Sequence, residues 1–211
     1  MSADASQIDD GLGRVRPVIA SYFGEIASQG GKGPIGELAV LLSAGVLEAA
    51  AFEKHVRRHG VAKEEWFKRQ LVDLALGFIK EGLRDGALSE NHLMDVRALN
   101  AFLTIDDGDF FELRPAEVAT ILGAQLDRIL EDAVISNVEE LYQVELQAAF
   151  GLGYDDYLAL TRGAFERTFL DLSLQAGGSG SSALDAERKL EALEPVYRLA
   201  TARRRTLGAR Y

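Results

Sequence analysis

An all-α fold is what this sequence predicts, and three observations predict it. Apolar residues recur at spacings of three and four through almost every long segment, the period of one helical face. Only 4 of the 211 residues are proline. No run alternates apolar and polar side chains strictly enough to read as a strand. The expected architecture is a single helical bundle of about seven to eight helices, with an internally duplicated centre and an added C-terminal helix.

The elements follow in chain order. Residues 1–13, "MSADASQIDDGLG", are polar and acidic. They lack the basic and apolar regions of a signal peptide, and a disordered N-terminus is expected there. A main helical domain is expected over 14–175, a Gly/Ser linker over 176–182 ("AGGSGSS"), and a basic C-terminal helix over 183–211. Within these, the periodicity predicts helices at about 14–29, 36–59, 62–84, 90–103, 115–131, 137–150, 154–175 and 184–206.

Their ends carry recognisable chemistry. "RRHG" closes a helix with cations in the last turn and Gly60 just beyond, which suits both the macrodipole and a left-handed C-cap. Pro115 stands where a helix begins and a missing N–H does no harm. Pro195 is expected to kink or split the last helix. The most apolar window, "PIGELAVLLSAGVLEAAAF" (34–52), is interrupted by Glu37 and Glu48. It reads as a buried amphipathic helix rather than a membrane span. Trp66 and Phe67 read as core.

Charge narrows the function classes. The net charge is −10, against the basic footprint that nucleic-acid binding needs. Residues 183–211 run the other way, with seven Lys/Arg against four acids. That basic end is expected to dock on the acidic body, or else on an acidic partner or anionic lipid. The chain has no cysteine, which excludes disulfides, thiol catalysis and Cys-ligated metals and fits a reducing cytosol.

The centre repeats itself. "DGALSENHLMDVRALNAFLTIDDGDFFEL" (85–113) aligns without gaps on "DAVISNVEELYQVELQAAFGLGYDDYLAL" (132–160), at an offset of 47 residues. Asp85 meets Asp132, Leu88 meets Ile135, Ser89 meets Ser136, Leu99 meets Leu146, and Phe110 meets Tyr157. "SNVE" (136–139) is a capping box, in which the serine accepts from the N3 amide and Glu139 reaches back. In the first copy Ser89 can still cap, while His92 holds the glutamate's place. Helix initiation is therefore the first role of both stretches. Neither "DGALSENHLMDV" nor "DDGDFFELRPAE" has the alternating acids and central glycine of an EF-hand.

These residues resemble the TerB family of tellurite-resistance-associated proteins. Asp132, Ile135, Ser136, Glu139, Phe150, Gly151, Leu152 and Tyr157 match the family pattern, as do Asp85, Gly86, Leu88 and Ser89 of the first copy. The resemblance covers about residues 63–172. His92 departs where the family has an acid, and Ala133 where it has glycine. The resemblance implies an all-α bundle with duplicated halves, and a non-enzymatic scaffold or sensor in bacterial stress or phage-defence assemblies. It implies protein partners, with a cytoplasmic location peripheral to the inner membrane. It also implies an acidic divalent-cation site for Ca2+ or Mg2+, here Asp85, Asp132 and Glu139, weakened by the missing carboxylate at His92. A homo-oligomer or purely structural subunit is the alternative, and a hydrolase built on carboxylates and His92 is a weaker third.

Other motifs carry less. His55 and His59 in "HVRRH" stand at i and i+4, zinc spacing, but Val56 replaces the glutamate of a metalloprotease and Lys54, Arg57 and Arg58 crowd the site. The expectation is an ordinary cationic helix end. "GGKGP" fails P-loop spacing, because Ile26 stands at the first glycine position and Gly33 follows Lys32. No Glu-x-x-His occurs, which argues against a ferritin-like di-iron site.

Overall fold

The computed structural model describes residues 15–84, 86–129, 137–178 and 180–191. Among them the fold is all-α. The helices are α1 (Pro17–Ser28), α2 (Gly33–Leu42), α3 (Ala49–His59), α4 (Glu65–Gly82), α5 (Glu90–Phe102), α6 (Asp109–Leu113), α7 (Pro115–Ile129), α8 (Asn137–Ala149) and α9 (Tyr154–Ala176). A further helix, α10, covers residues 181–191. No described helix is long and apolar enough to cross a membrane. The expected disorder of 1–13 and the kink at Pro195 fall outside the described residues.

The chain forms two compact units, Met1–Asp109 and Phe110–Tyr211. In the first, α1 packs on α2, α4 on α5, and α2 on both α3 and α4. Its centre is aromatic. Phe23 and Phe78 stack at 6.3 Å between ring centroids, and Tyr22 meets Phe78 edge-on at 5.5 Å. Phe52 and Phe102 close a second contact at 5.3 Å. Phe67 is buried as expected, but the neighbouring Trp66 is 44% exposed and only rests its edge on Phe67.

In the second unit α7 packs along α9. Leu126, Ala164, Phe165 and Leu172 form a buried cluster joined by Ala186 from α10, with Leu190 packed against it. The start of the C-terminal segment thus docks on the body through a small apolar face, as a helix without a core of its own must.

The apolar run 36–59 is two helices, not one. Between α2 and α3, Gly45 takes a left-handed φ of 71° and its carbonyl accepts the Arg16 amide at 2.7 Å. Val46 pairs with Val15 in an isolated antiparallel bridge, and Leu47 is fully buried. Tertiary contacts with the chain before α1 break the helix where propensity alone would continue it.

The predicted duplication is visible in the main chain. Shifted by 47 residues, the bounds of α5 coincide with those of α8. Both helices end in the same closure. The Ile105 amide donates to the Asn100 carbonyl at 2.9 Å, and the Leu152 amide to Gln147 at 2.9 Å. The residue with positive φ is Thr104 (52°) in one and Gly151 (55°) in the other. A left-handed threonine is costly, and Lys68 supports it by donating to the Thr104 carbonyl at 2.6 Å. The two sequence copies then diverge. The first copy continues into the short α6, which ends just before Pro115, whereas the second copy runs on through the long α9.

Candidate functional site

The cation site expected from the resemblance is only partly in view. Asp85 and Asp132 lie outside the described residues, and so does Ser136 of the capping box. Glu139 is half-buried in the first turn of α8. Ser89 caps α5 as expected, its hydroxyl accepting the His92 amide at 3.2 Å. His92 itself is packed into the first unit. Its ring stacks on Phe78 at 4.4 Å, and its Nε2–H donates to the Phe78 carbonyl at 3.1 Å. The ring also lies over Gly82, where a Cβ would come within 2.3 Å of Nε2. His92 therefore ties α5 to the end of α4.

The acids after α5 also have structural work. Asp109 accepts the Asp106 amide at 2.6 Å and pairs with Lys68 at 2.6 Å. Asp109 closes the turn from a largely covered position, while the Asp106 side chain stays exposed to solvent.

The first unit instead brings together three groups that the sequence keeps apart. Glu37 lies in α2, while His55 and His59 lie one turn apart at the C-terminal end of α3. One ligand atom from each lies within 4.8 Å of the others. The His59 Nε2–H donates to Glu37 Oε2 at 3.0 Å. The two imidazoles sit 4.7 Å apart between centroids. Arg58 reaches the same Glu37 oxygen at 3.4 Å from a mostly exposed position.

His55 differs from its neighbours. It is 7% exposed, and its Nε2 is buried with no hydrogen-bond partner. Its ring hydrogen-bonds the backbone of Pro34, whose only polar backbone group is a carbonyl. Nδ1 therefore carries the proton and Nε2 the free lone pair. Desolvation is the largest influence on its pKa and holds it below the ordinary 6.5, against the raising effect of Pro34. Glu37 is held below the usual carboxylate value, first by the hydrogen bond from His59 and further by Arg58. At neutral pH the group thus offers a neutral imidazole, an ionised carboxylate and a second imidazole bonded to it.

A pH dependence follows. With the folded pKa of His55 depressed, the unfolded chain binds more protons just below pH 6.5, so stability falls as pH drops through that window. The slope from one proton is at most about 1.4 kcal/mol per pH unit. The Glu37 contribution is lost only at lower pH, beneath the carboxylate's ordinary 4.5. Melting midpoints measured in chelator from neutral pH to pH 5 are expected to fall for the wild type and to fall less for His55→Leu. Equal slopes would mean that His55 is not held neutral.

Comparisons with known proteins add no identity. No family model, curated protein or solved structure matches the chain.

Proposed function

We propose that this chain is a non-enzymatic TerB-like scaffold or sensor. It would bind protein partners in a bacterial stress or phage-defence system, in the cytoplasm or at the inner face of the membrane. What supports the reading is the duplicated helix-and-turn unit, whose copies share helix bounds, closing hydrogen bonds and the position of the left-handed residue at an offset of 47. The acidic balance of the chain fits protein rather than nucleic-acid partners. A hard divalent cation at Asp85, Asp132 and Glu139 belongs to the same proposal.

The alternative is a structural or oligomeric subunit. One observation favours it: α9 turns Leu170 and Leu174, four residues apart and so on one face, out to solvent. Light scattering over a range of concentrations decides between the two. A monomer supports the scaffold. An assembly that falls apart in a Leu170→Glu, Leu174→Glu double variant supports the oligomer. Calorimetric titration with calcium and magnesium tests the acidic site. Binding that disappears in Asp132→Asn supports it, and no heat from either ion overturns it.

A further inference from the structure

We propose that Glu37, His55 and His59 form a three-ligand site for a divalent transition ion of the zinc class, with the fourth coordination position open to solvent. Nothing in this depends on the duplicated-module reading, which concerns different residues.

The buried ring of His55 carries the most weight. A buried polar atom without a partner costs free energy and calls for an explanation. Here that atom is Nε2, on a ring grouped with a carboxylate and a second imidazole, one donor atom from each of the three residues lying within 4.8 Å of the others. The other side of the ring is fixed by Pro34. A ligating histidine usually has this arrangement, with one nitrogen on a carbonyl that sets tautomer and ring orientation and the other facing the metal.

The distances suit a small ion. Ligand bonds of about 2.0–2.2 Å place neighbouring donors about 3.3 Å apart around a tetrahedral zinc. His59 and Glu37 already stand 3.0 Å apart, joined by a hydrogen whose place the ion would take. Glu37 is 43% exposed on its side chain and can swing toward His55 without disturbing the core. The helix end helps as well, since the C-terminal carbonyls of α3 attract a cation. Two imidazoles and one carboxylate select zinc, cobalt or nickel over calcium and magnesium, which need more oxygen donors. Three protein ligands with an open fourth position are also the donor count of non-structural zinc sites.

Arg58 works in the opposite sense. Its guanidinium competes for the Glu37 oxygen and repels a dication, but its side chain is 70% exposed and free to leave. That opposition makes a signed test.

Tag-free full-length protein, stripped with chelator, is titrated with zinc at neutral pH by calorimetry, and with cobalt(II) by visible absorption. One ion per chain is expected, with the intensified d–d bands of a low-coordinate cobalt site. Glu37→Gln and His59→Ala, each checked for retained helicity, are expected to weaken zinc about tenfold or more, since losing even an outer partner of a ligand costs that much. Arg58→Ala is expected to tighten it. Asp85→Asn and Asp132→Asn are expected to leave zinc affinity unchanged, which separates this site from the acidic one. No zinc binding overturns the proposal. So does binding that both Glu37→Gln and His59→Ala leave intact, or binding lost in Asp132→Asn.

Discussion

Asp95→Ala is expected to lower the unfolding free energy of the first unit by about 3–5 kcal/mol, the cost of leaving a buried charge without its partner. Asp95 sits in α5 and pairs with Arg16 just ahead of α1, and both side chains are buried. The Arg16 amide is engaged too, donating to the Gly45 carbonyl. Arg16 thus joins the entry of α1 to the middle of α5 through its side chain and to the turn between α2 and α3 through its amide. A domain at the lower end of the ordinary range of about 5–15 kcal/mol would be left near the edge of folding.

The sign of the effect depends on which groups are removed. Two charges taken from water cost much of what their attraction returns, so deleting both is far milder than deleting one. Asp95→Leu combined with Arg16→Met is therefore expected to recover most of the loss. Asp95→Asn, which keeps an acceptor but not the charge, should fall between. Urea unfolding of the three variants measures this. If Asp95→Ala costs less than about 1 kcal/mol, the pair behaves as a surface bridge would and is not buried in solution.

Local signals were legible where a local cause decided the structure. Ser89 caps α5, Gly60 ends α3 with a φ of 68°, and Pro115 opens α7, each from chemistry carried by the residue itself. The break at 43–48 was not legible, because its cause lies elsewhere in the chain. A Cβ at Gly45 would stand 2.9 Å from the Ala20 side chain and 3.1 Å from the Arg16 carbonyl, so that turn is shaped by α1. Reading "LAVLLSAGVLEAAAF" as one helix follows from its composition and misses this contact.

The candidate metal site divides the same way. His55 and His59 are visible as an i, i+4 pair, but the third donor, Glu37, lies 22 residues before His59. Arg57 and Arg58 made the cationic helix end the simpler reading. Two facts that change it have no sequence signal: the burial of the His55 ring, and the Pro34 carbonyl behind it. The Pro34 carbonyl comes from the first turn of α2, the helix that packs on α3.

Gly36 tests that turn. It lies in the first turn of α2, and a Cβ there would stand 1.9 Å from the Gly31 carbonyl oxygen and 2.2 Å from its carbon. The obstacle is main chain, so no rotamer change relieves it. Gly36→Ala gains up to about 1 kcal/mol of helix propensity. Against this stands an overpacking cost of about 3 kcal/mol, the upper end for a rigid neighbour. A net loss of about 2 kcal/mol is expected in urea unfolding. Gly24→Ala is the control. It is a helical glycine of α1 with nothing within 4 Å of the added Cβ. It is expected to stabilise by up to about 1 kcal/mol, opposite in sign. The effect of Gly36→Ala should reach the site, because its neighbours in the chain are the means of building it. Glu37 follows directly, and Pro34, two residues before, orients His55. Zinc affinity is expected to fall in Gly36→Ala and to hold in Gly24→Ala. If Gly36→Ala is as stable as the wild type, the main chain of Gly31 yields to an added methyl group at Gly36. The carbonyl that aims His55 would then have no fixed place.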